Sequence, residues 1–221
     1  MTYRTFRWSA MIGAAMGSLA AAAPVLAQGW HYPSFTPPRV QTRELSLGVA
    51  GDGDAGTVLV GQWREGITPT SELMFDLGFA SPNHQDTHVL LGGAYGYQLS
   101  RATTNQPLDA LLTVGIYGAF GNPLNLVRIP IGVSIGHRFP LKGQMAITPY
   151  VHPRVSFDFF SGQPNISDKS NVTINFDIGG NLELTPQLSL RASILVAGGN
   201  TFSGDNTGFG LALAYRPPGL R

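Results

Sequence analysis

The chain has 221 residues and no cysteine, and only 12% of its residues are charged, about half of the ~25% of an average soluble domain. The lack of cysteine excludes a disulfide scaffold, a thiolate metal site and a cysteine nucleophile. Without Arg4 and Arg7, which lie in a predicted leader, 12 basic residues face 13 acidic ones, so we expect no nucleic-acid partner. The low charge predicts that much of the surface does not face water.

Residues 1–27 have the three parts of a secretory signal peptide: Arg4 and Arg7, an apolar stretch up to Leu26, and a small-residue cleavage signature that ends at Ala27. The alternative is a retained anchor helix, which its alanine and glycine content and Pro24 disfavour. No later stretch reaches 18 apolar residues. Residues 28–41 carry three prolines without periodicity, and we expect an extended, proline-rich lead-in in the periplasm.

From residue 42 to 216 the dominant pattern is alternation of apolar and polar residues with a period of two. In the clearest run, 127–136, Val127, Ile129 and Ile131 share one face, whereas Arg128 and Gly132 lie on the other. The pattern predicts an all-β chain. The predicted strands are 42–51, 57–67, 70–80, 87–99, 108–120, 125–139, 144–160, 171–184, 187–197 and 206–216.

Residue size indicates which face points inward. The polar face is rich in glycine, alanine and serine, which suit a crowded interior, while the other face carries the large aliphatic residues. In hydrocarbon every backbone group must be paired internally, which a closed sheet achieves. We therefore predict a closed antiparallel up-and-down transmembrane β-barrel over 42–216 with about ten strands, or eight if two early runs merge, followed by a tail at 217–221. The alternative is a secreted soluble binding barrel whose apolar face lines a cavity.

Three further features bear on the barrel. Short strand connections mostly alternate with longer polar ones, as in barrels with periplasmic turns and external loops. Outward aromatic residues cluster near both strand ends, as interfacial girdles do. Pro130, Pro149 and Pro153 fall inside strands, where a missing amide donor predicts bulges or broken pairing.

The last third of the chain resembles the outer-membrane β-barrel domain superfamily, which includes the OmpA transmembrane domain and the OmpW-like and opacity-type proteins. The matching stretches are Thr148-Pro149-Tyr150-Val151 and residues 178–191. Gly210, Leu213 and Tyr215 are similar to the recognition signal of the barrel-assembly machinery, although the chain continues past Tyr215. The resemblance implies an outer-membrane location and that machinery as a partner during biogenesis.

The parity of the strands assigns charged residues of both signs to the lumen. In a narrow barrel such charges usually form a hydrogen-bonded plug, because an unpaired charge with little water is costly. The alternative is a small-solute path, for which Arg128 and Arg154 form a candidate anion site at similar height. The predicted inward residues are Glu44, Arg64, Glu72, Asp76, Asp109, Arg128, Arg154, Asp158, Asp177, Glu183 and Arg191.

An outer-membrane hydrolase is a more specific alternative to a structural or permeability role. The candidate residues are His84, Asp86 and His88 in one loop, or His152, Ser156 and Asp158 on one strand face, since a histidine with a carboxylate or serine can activate a nucleophile. Ser156 lies four residues from His152, roughly 13 Å along a strand, which is too far for a hydrogen bond. We therefore predict no catalytic, metal or cofactor site. The expected function is a structural or small-solute permeability role, with outer-membrane lipid as partner.

Overall fold

The computed structural model describes residues 32–52, 56–81, 86–122, 124–162, 169–198 and 207–218; the predicted leader lies outside them. No helix that could span a membrane is found in this part of the chain. The strands are β1 (Arg43–Asp52), β2 (Gly56–Thr68), β3 (Ser71–Ser81), β4 (His88–Ser100), β5 (Asp109–Phe120), β6 (Leu124–Gly136), β7 (Phe139–Pro140), β8 (Ala146–Gly162), β9 (Lys169–Glu183), β10 (Leu188–Gly198) and β11 (Thr207–Tyr215).

Ten of these strands form a closed wall. Each pairs antiparallel with its neighbour in sequence; β6 pairs with β8, and β1 pairs with β11. The two-residue β7 only extends the hairpin before β8. The predicted closed all-β barrel with ten strands is therefore confirmed, and no edge strand remains unpaired. We call the end where β1 begins and β11 ends the base, and the opposite end the far end.

The exterior is a belt of exposed apolar side chains. Leu47, Leu77, Ile116 and Ile174 are each more than half exposed. Among the described side chains of the strands, outward-facing charges lie only at the base, where Arg43 pairs with Glu65 at 2.7 Å. A surface of this kind is stable in hydrocarbon and not in water. The protein is thus a transmembrane β-barrel, and the soluble-barrel alternative is wrong because the apolar face is outside.

The outward aromatic residues predicted to form girdles are all exposed. Trp63, Tyr97, Phe139 and Tyr215 lie toward the base, and Phe79, Phe120, Phe157 and Phe159 lie toward the far end. Aromatic rings at both ends of an apolar belt match the two water–membrane interfaces.

The small residues of the inner face make room for large rings. A β-carbon at Gly92 would lie 1.9 Å from Cδ1 of Tyr117, and one at Gly179 would lie 2.5 Å from Cζ of Tyr150. Each ring therefore occupies the space that a side chain on the neighbouring strand would need. The predicted crowding of the interior has this physical origin.

Pro130 and Pro153 lie at interruptions of the hydrogen-bond ladder, as predicted, whereas Pro149 pairs with Gly180 in a continuous stretch between β8 and β9. Between β5 and β6 the pairing stops after Val114–Ile131 and resumes at Tyr117–Arg128, which leaves out Pro130. Between β6 and β8 it stops at Gly132–Arg154 and resumes at Ile135–Val151 in the same register. This second gap lies opposite Pro153. The wall is locally unpaired rather than bulged at both places.

The connections at the base agree only partly with the prediction. Those at 69–70 and 184–187 are short. The connection between β6 and β8 spans 137–145 and contains β7, whereas the sequence predicts four residues there. This longer connection changes the register of β8 against β6, which matters for the arginines described below.

Candidate functional site in the barrel lumen

The proline-rich segment before β1 lies inside the barrel. Its described part, residues 32–41, is here called the lumen segment. It enters at the base, where Gln41 N donates to Glu72 at 2.7 Å, and it reaches Tyr32, whose hydroxyl donates to Asp76 at 3.1 Å. Tyr32, Phe35 and Thr36 are each at most 5% exposed. The sequence predicts this segment as a periplasmic lead-in, and the structure instead places these residues in the lumen.

Polar contacts with the strands of the wall hold the segment near the base. Arg39 Nε lies 2.7 Å from the fully buried Asp109 carboxylate. The Gln98 side chain accepts from Val40 N at 2.9 Å and donates to the Pro38 carbonyl at 2.8 Å. Since the segment has no sheet partner, these side chains satisfy backbone groups that would otherwise be buried without hydrogen bonds.

Phe35 anchors the middle of the segment beside the seam of the barrel. Its ring lies against Gly210 of β11 and Gly48 of β1, where added β-carbons would be 2.5 Å and 3.0 Å away. Its backbone φ is 49°, a left-handed conformation that a bulky residue adopts only when its surroundings require it. The recess between the two glycines and the hydrogen bond from Arg191 to the Phe35 carbonyl, at 3.2 Å, supply that requirement.

The charges in the lumen are paired with one another. Arg128 and Asp158 form a bidentate pair with distances of 2.7 Å and 2.8 Å. Arg191 lies 2.6 Å from Glu44. The remaining pairs are Arg64 with Glu72, Arg154 with Asp177, Arg39 with Asp109, and Arg216 with Glu44.

This pairing has an electrostatic reason. The arginine charge needed to balance the wall's carboxylates comes partly from Arg39 of the lumen segment and from Arg216 just after β11. A buried carboxylate without a partner would be strongly destabilising. The lumen segment therefore completes the charge balance of the wall as well as its packing.

Glu183, the last residue of β9, lies at the base. It is only half-buried, and it pairs with Arg138 of the connection between β6 and β8 at 2.7 Å. It therefore ties the rim of the barrel to that connection instead of joining the interior network.

Asp76 is held differently from the other buried carboxylates. It accepts hydrogen bonds from Tyr32 at 3.1 Å and from Gln62 Nε2 at 3.0 Å. Beside it lies a cavity of about 20 Å³ lined by Asp76, Tyr117, Pro130, Arg154 and two residues of the lumen segment. This volume suffices for about one water molecule, and the buried Nε of Arg154, which has no hydrogen-bond partner among the described residues, is a donor such a water could use.

The predicted anion site at Arg128 and Arg154 is wrong. In the observed register Arg154 faces Gly132, and Arg128 faces Asp158, so the two arginines do not share a height. Each guanidinium also already binds a carboxylate. The sequence misses this because the register depends on the length of the connection that includes β7.

The histidine, serine and aspartate of β8 do not form a catalytic set. Ser156 accepts a hydrogen bond from Asn175 at 3.0 Å, and Asp158 is bound by Arg128. His152 instead lies 2.8 Å from Ser34 Oγ and 2.9 Å from Thr113 Oγ1. Each of the three therefore has its own partner.

The side chain of His152 has two neighbours that the sequence does not predict, Ser34 and Asp177. Ser34 Oγ donates to Asp177 at 2.7 Å, and Asp177 lies 3.7 Å from the same nitrogen, Nδ1, that faces Ser34. In an acyl-transfer triad the carboxylate and the serine face opposite nitrogens of the ring. Here both lie at Nδ1, so the histidine orients the lumen segment and does not activate Ser34.

The loop candidates that the structure describes lie in different surroundings. His84 lies outside the described residues, Asp86 is exposed, and His88 is buried on the inner face of β4. Among the described residues, no group of histidine and carboxylate side chains is arranged to hold a metal ion.

Toward the far end the lumen is filled by apolar side chains. Val58, Val60, Leu90, Leu126 and Phe160 form one buried cluster with Phe35 and Tyr32 of the lumen segment. Apolar side chains thus dominate the lumen toward the far end, where the Arg128–Asp158 pair lies beside them, and the lumen segment contacts both the apolar cluster and the charged residues nearer the base.

Comparisons with known proteins give the following. No protein-family model matches the chain, and no curated protein matches it. Similar solved structures include a bacterial polysaccharide outer membrane secretin, with 9% identity, a TM-score of 0.48, and coverage of 78% of this chain and 57% of that one. The chain thus spans little more than half of the secretin chain.

Two further similar structures are covered almost completely by this chain. LpxR from Salmonella typhimurium has 9% identity, a TM-score of 0.47, and coverage of 78% of this chain and 99% of that one. The N-terminal β-barrel domain of Pseudomonas aeruginosa OprF has 11% identity, a TM-score of 0.36, and coverage of 79% and 97%. We draw no functional conclusion from similarity at this level.

Proposed function

We propose that this protein is an outer-membrane β-barrel with a structural role, whose lumen is closed by its own N-terminal segment. The observation that carries the proposal is the burial of residues 32–41 among the paired charges of the wall. A membrane-facing closed barrel with an export leader belongs to the outer membrane of a Gram-negative-type envelope. The resemblance of residues 148–151 and 178–191 to the OmpA, OmpW-like and opacity-type superfamily supports this assignment.

The end of β11 supports assembly into that membrane. Leu213 and Tyr215 face outward and are about half exposed, so they are available to a partner before lipid covers them. Gly210 faces inward against Phe35. The barrel-assembly machinery is therefore the proposed partner during biogenesis, and outer-membrane lipid is the proposed partner afterwards.

The state of the lumen favours a structural role over permeation. A path for solutes needs water along the axis, whereas the inward side chains of the described strands are nearly all buried. Removing the lumen segment would cost the Arg39–Asp109 pair and leave the buried Asp109 without that partner, which is strongly destabilising. Thermal motion therefore opens the lumen rarely.

Conductance across a planar bilayer tests the structural role. The purified full-length protein, inserted at high salt beside a general porin as positive control, is expected to show no regular current steps. A variant that lacks residues 32–40 removes all of the lumen segment except Gln41 and is expected to gain conductance. Heat-modifiable gel migration verifies that each sample is a folded barrel.

Each outcome of this experiment has one meaning. Regular ohmic steps from the unmodified protein would contradict the structural role and favour permeation. A folded but silent deletion variant would show that the wall side chains close the lumen without the segment. Recovery of the mature chain as a freely soluble periplasmic protein would contradict the outer-membrane location.

A further inference from the structure

The exterior of β3 to β6 contains an open apolar groove. It has a volume of about 480 Å³, and its sides are formed by Phe75, Leu91, Ile116, Phe120 and Val127. These side chains face outward, and Leu91 and Ile116 are more than half exposed. Since Phe120 is the last residue of β5, the groove reaches the far end of the apolar belt.

The floor of the groove is formed by glycines on two neighbouring strands. Gly93 faces Ile116 across the β4–β5 ladder and leaves an outward position without a side chain, whereas Gly118, which faces Leu91, is covered by the Phe120 ring, 2.3 Å from an added β-carbon. On the other side of β5, its ladder with β6 is interrupted at Pro130, between Val114–Ile131 and Tyr117–Arg128. Tyr117 lines both this groove and the small lumen cavity, so the wall is thin here.

We propose that this groove binds one acyl chain of a lipid in the outer half of the membrane; this rests on the proposed outer-membrane location and deepens it. The occupant follows from position, because the groove is continuous with the apolar belt that lipid covers. A volume of about 480 Å³, at roughly 30 Å³ for a group the size of water, accommodates a chain of about a dozen carbons or more.

The groove recognises the chain and not the headgroup. The described residues that line it carry no charge, so no lining side chain can pair with a phosphate. Lipid tails are as apolar as the groove, and binding therefore depends on the contacts that a concave surface offers and a convex barrel does not. One chain is held longer than its neighbours in the belt.

Native mass spectrometry of the full-length barrel in detergent, titrated with phosphatidylcholine or phosphatidylglycerol of equal chain length, tests this proposal. Gly93→Leu fills the groove. Gly180→Leu is the matched control, because Gly180 is an outward-facing glycine on β9, outside the groove, with no atom within 4 Å of an added β-carbon. We expect Gly93→Leu to weaken retention of one lipid about fivefold or more, and Gly180→Leu to leave it unchanged for both headgroups.

Three results would overturn the proposal. The first is equal lipid retention by both variants, and the second is lipid retention that depends on headgroup charge. The third is a dimer of this chain that Gly93→Leu abolishes, because the occupant of the groove would then be a second copy. Ile116→Trp fills the groove from its other side and replaces Gly93→Leu if that variant does not fold. Gel migration, membrane fractionation and conductance of these variants report on the proposed function, and their results are independent of lipid retention.

Discussion

The recess that holds Phe35 gives the most direct test of the lumen segment. In Gly210→Ala the added methyl group would lie 2.5 Å from Cζ of Phe35 and 3.1 Å from Cβ of Ala50. The ring cannot remain in place, and a displaced core ring typically costs about 1–3 kcal/mol of stability. Phe35→Ala alone removes a side chain that is 1% exposed and is expected to cost about 3–5 kcal/mol.

The two changes should not be additive. Once Phe35 is alanine, the methyl group at position 210 has no ring to displace, so its cost should fall to what the remaining contact with Cβ of Ala50, at 3.1 Å, requires. The free energy of unfolding is measured by urea titration of the barrel folded in lipid vesicles, for the two single variants and the double variant. Gly61→Ala is the control, because this outward glycine has only the Leu77 carbonyl within 4 Å, at 3.6 Å.

A cost of Gly210→Ala that stays the same with and without the Phe35 ring would refute the reasoning. It would mean that the ring does not occupy the recess in the folded protein. A large cost of Gly61→Ala would show instead that the wall tolerates no added methyl group, whatever lies inside.

Three further predictions concern the lumen. Arg128→Met leaves the Asp158 carboxylate buried without its bidentate partner and should lower the free energy of unfolding in the urea titration by about 3–5 kcal/mol. The double variant Arg128→Met/Asp158→Leu should recover most of this loss. An equal loss in both variants would contradict the pairing. Gly179→Ala should destabilise the barrel by about 1–3 kcal/mol because of the Tyr150 ring, whereas Gly180→Ala should change stability by less than about 0.5 kcal/mol. Since the chain has no cysteine, Thr36→Cys in the lumen segment should resist a membrane-impermeant thiol reagent in the folded protein, while Thr103→Cys, exposed at the base, should react fully; fast labelling at position 36 would place the segment outside the lumen.

The wall of the barrel could be predicted from the sequence because alternation with a period of two indicates both where the strands lie and which of their side chains point inward. The run at 127–136 shows this, since Arg128 and Gly132 do face inward and Ile129 and Ile131 do face outward. The parity of a strand is a local property, and ten strands with the right parity suffice for a closed barrel.

The partners inside the lumen could not be predicted, because they depend on register and on a segment without periodicity. Arg128 meets Asp158 only in the register that the connection at 137–145 allows. Ser34 meets His152 across 118 positions of sequence. Gly48 and Gly210 indicate a crowded interior, but the sequence does not show that the ring of Phe35 occupies the space beside them.

The place of Phe35 constrains how the barrel is assembled. Its ring touches the first strand and the last, whose pairing shuts the cylinder. The recess for the ring is complete only when β1 and β11 are paired, because each strand supplies one of its two glycines. Docking of the lumen segment and closure of the cylinder are therefore thermodynamically coupled: the closed seam holds the ring, and the docked ring stabilises the seam.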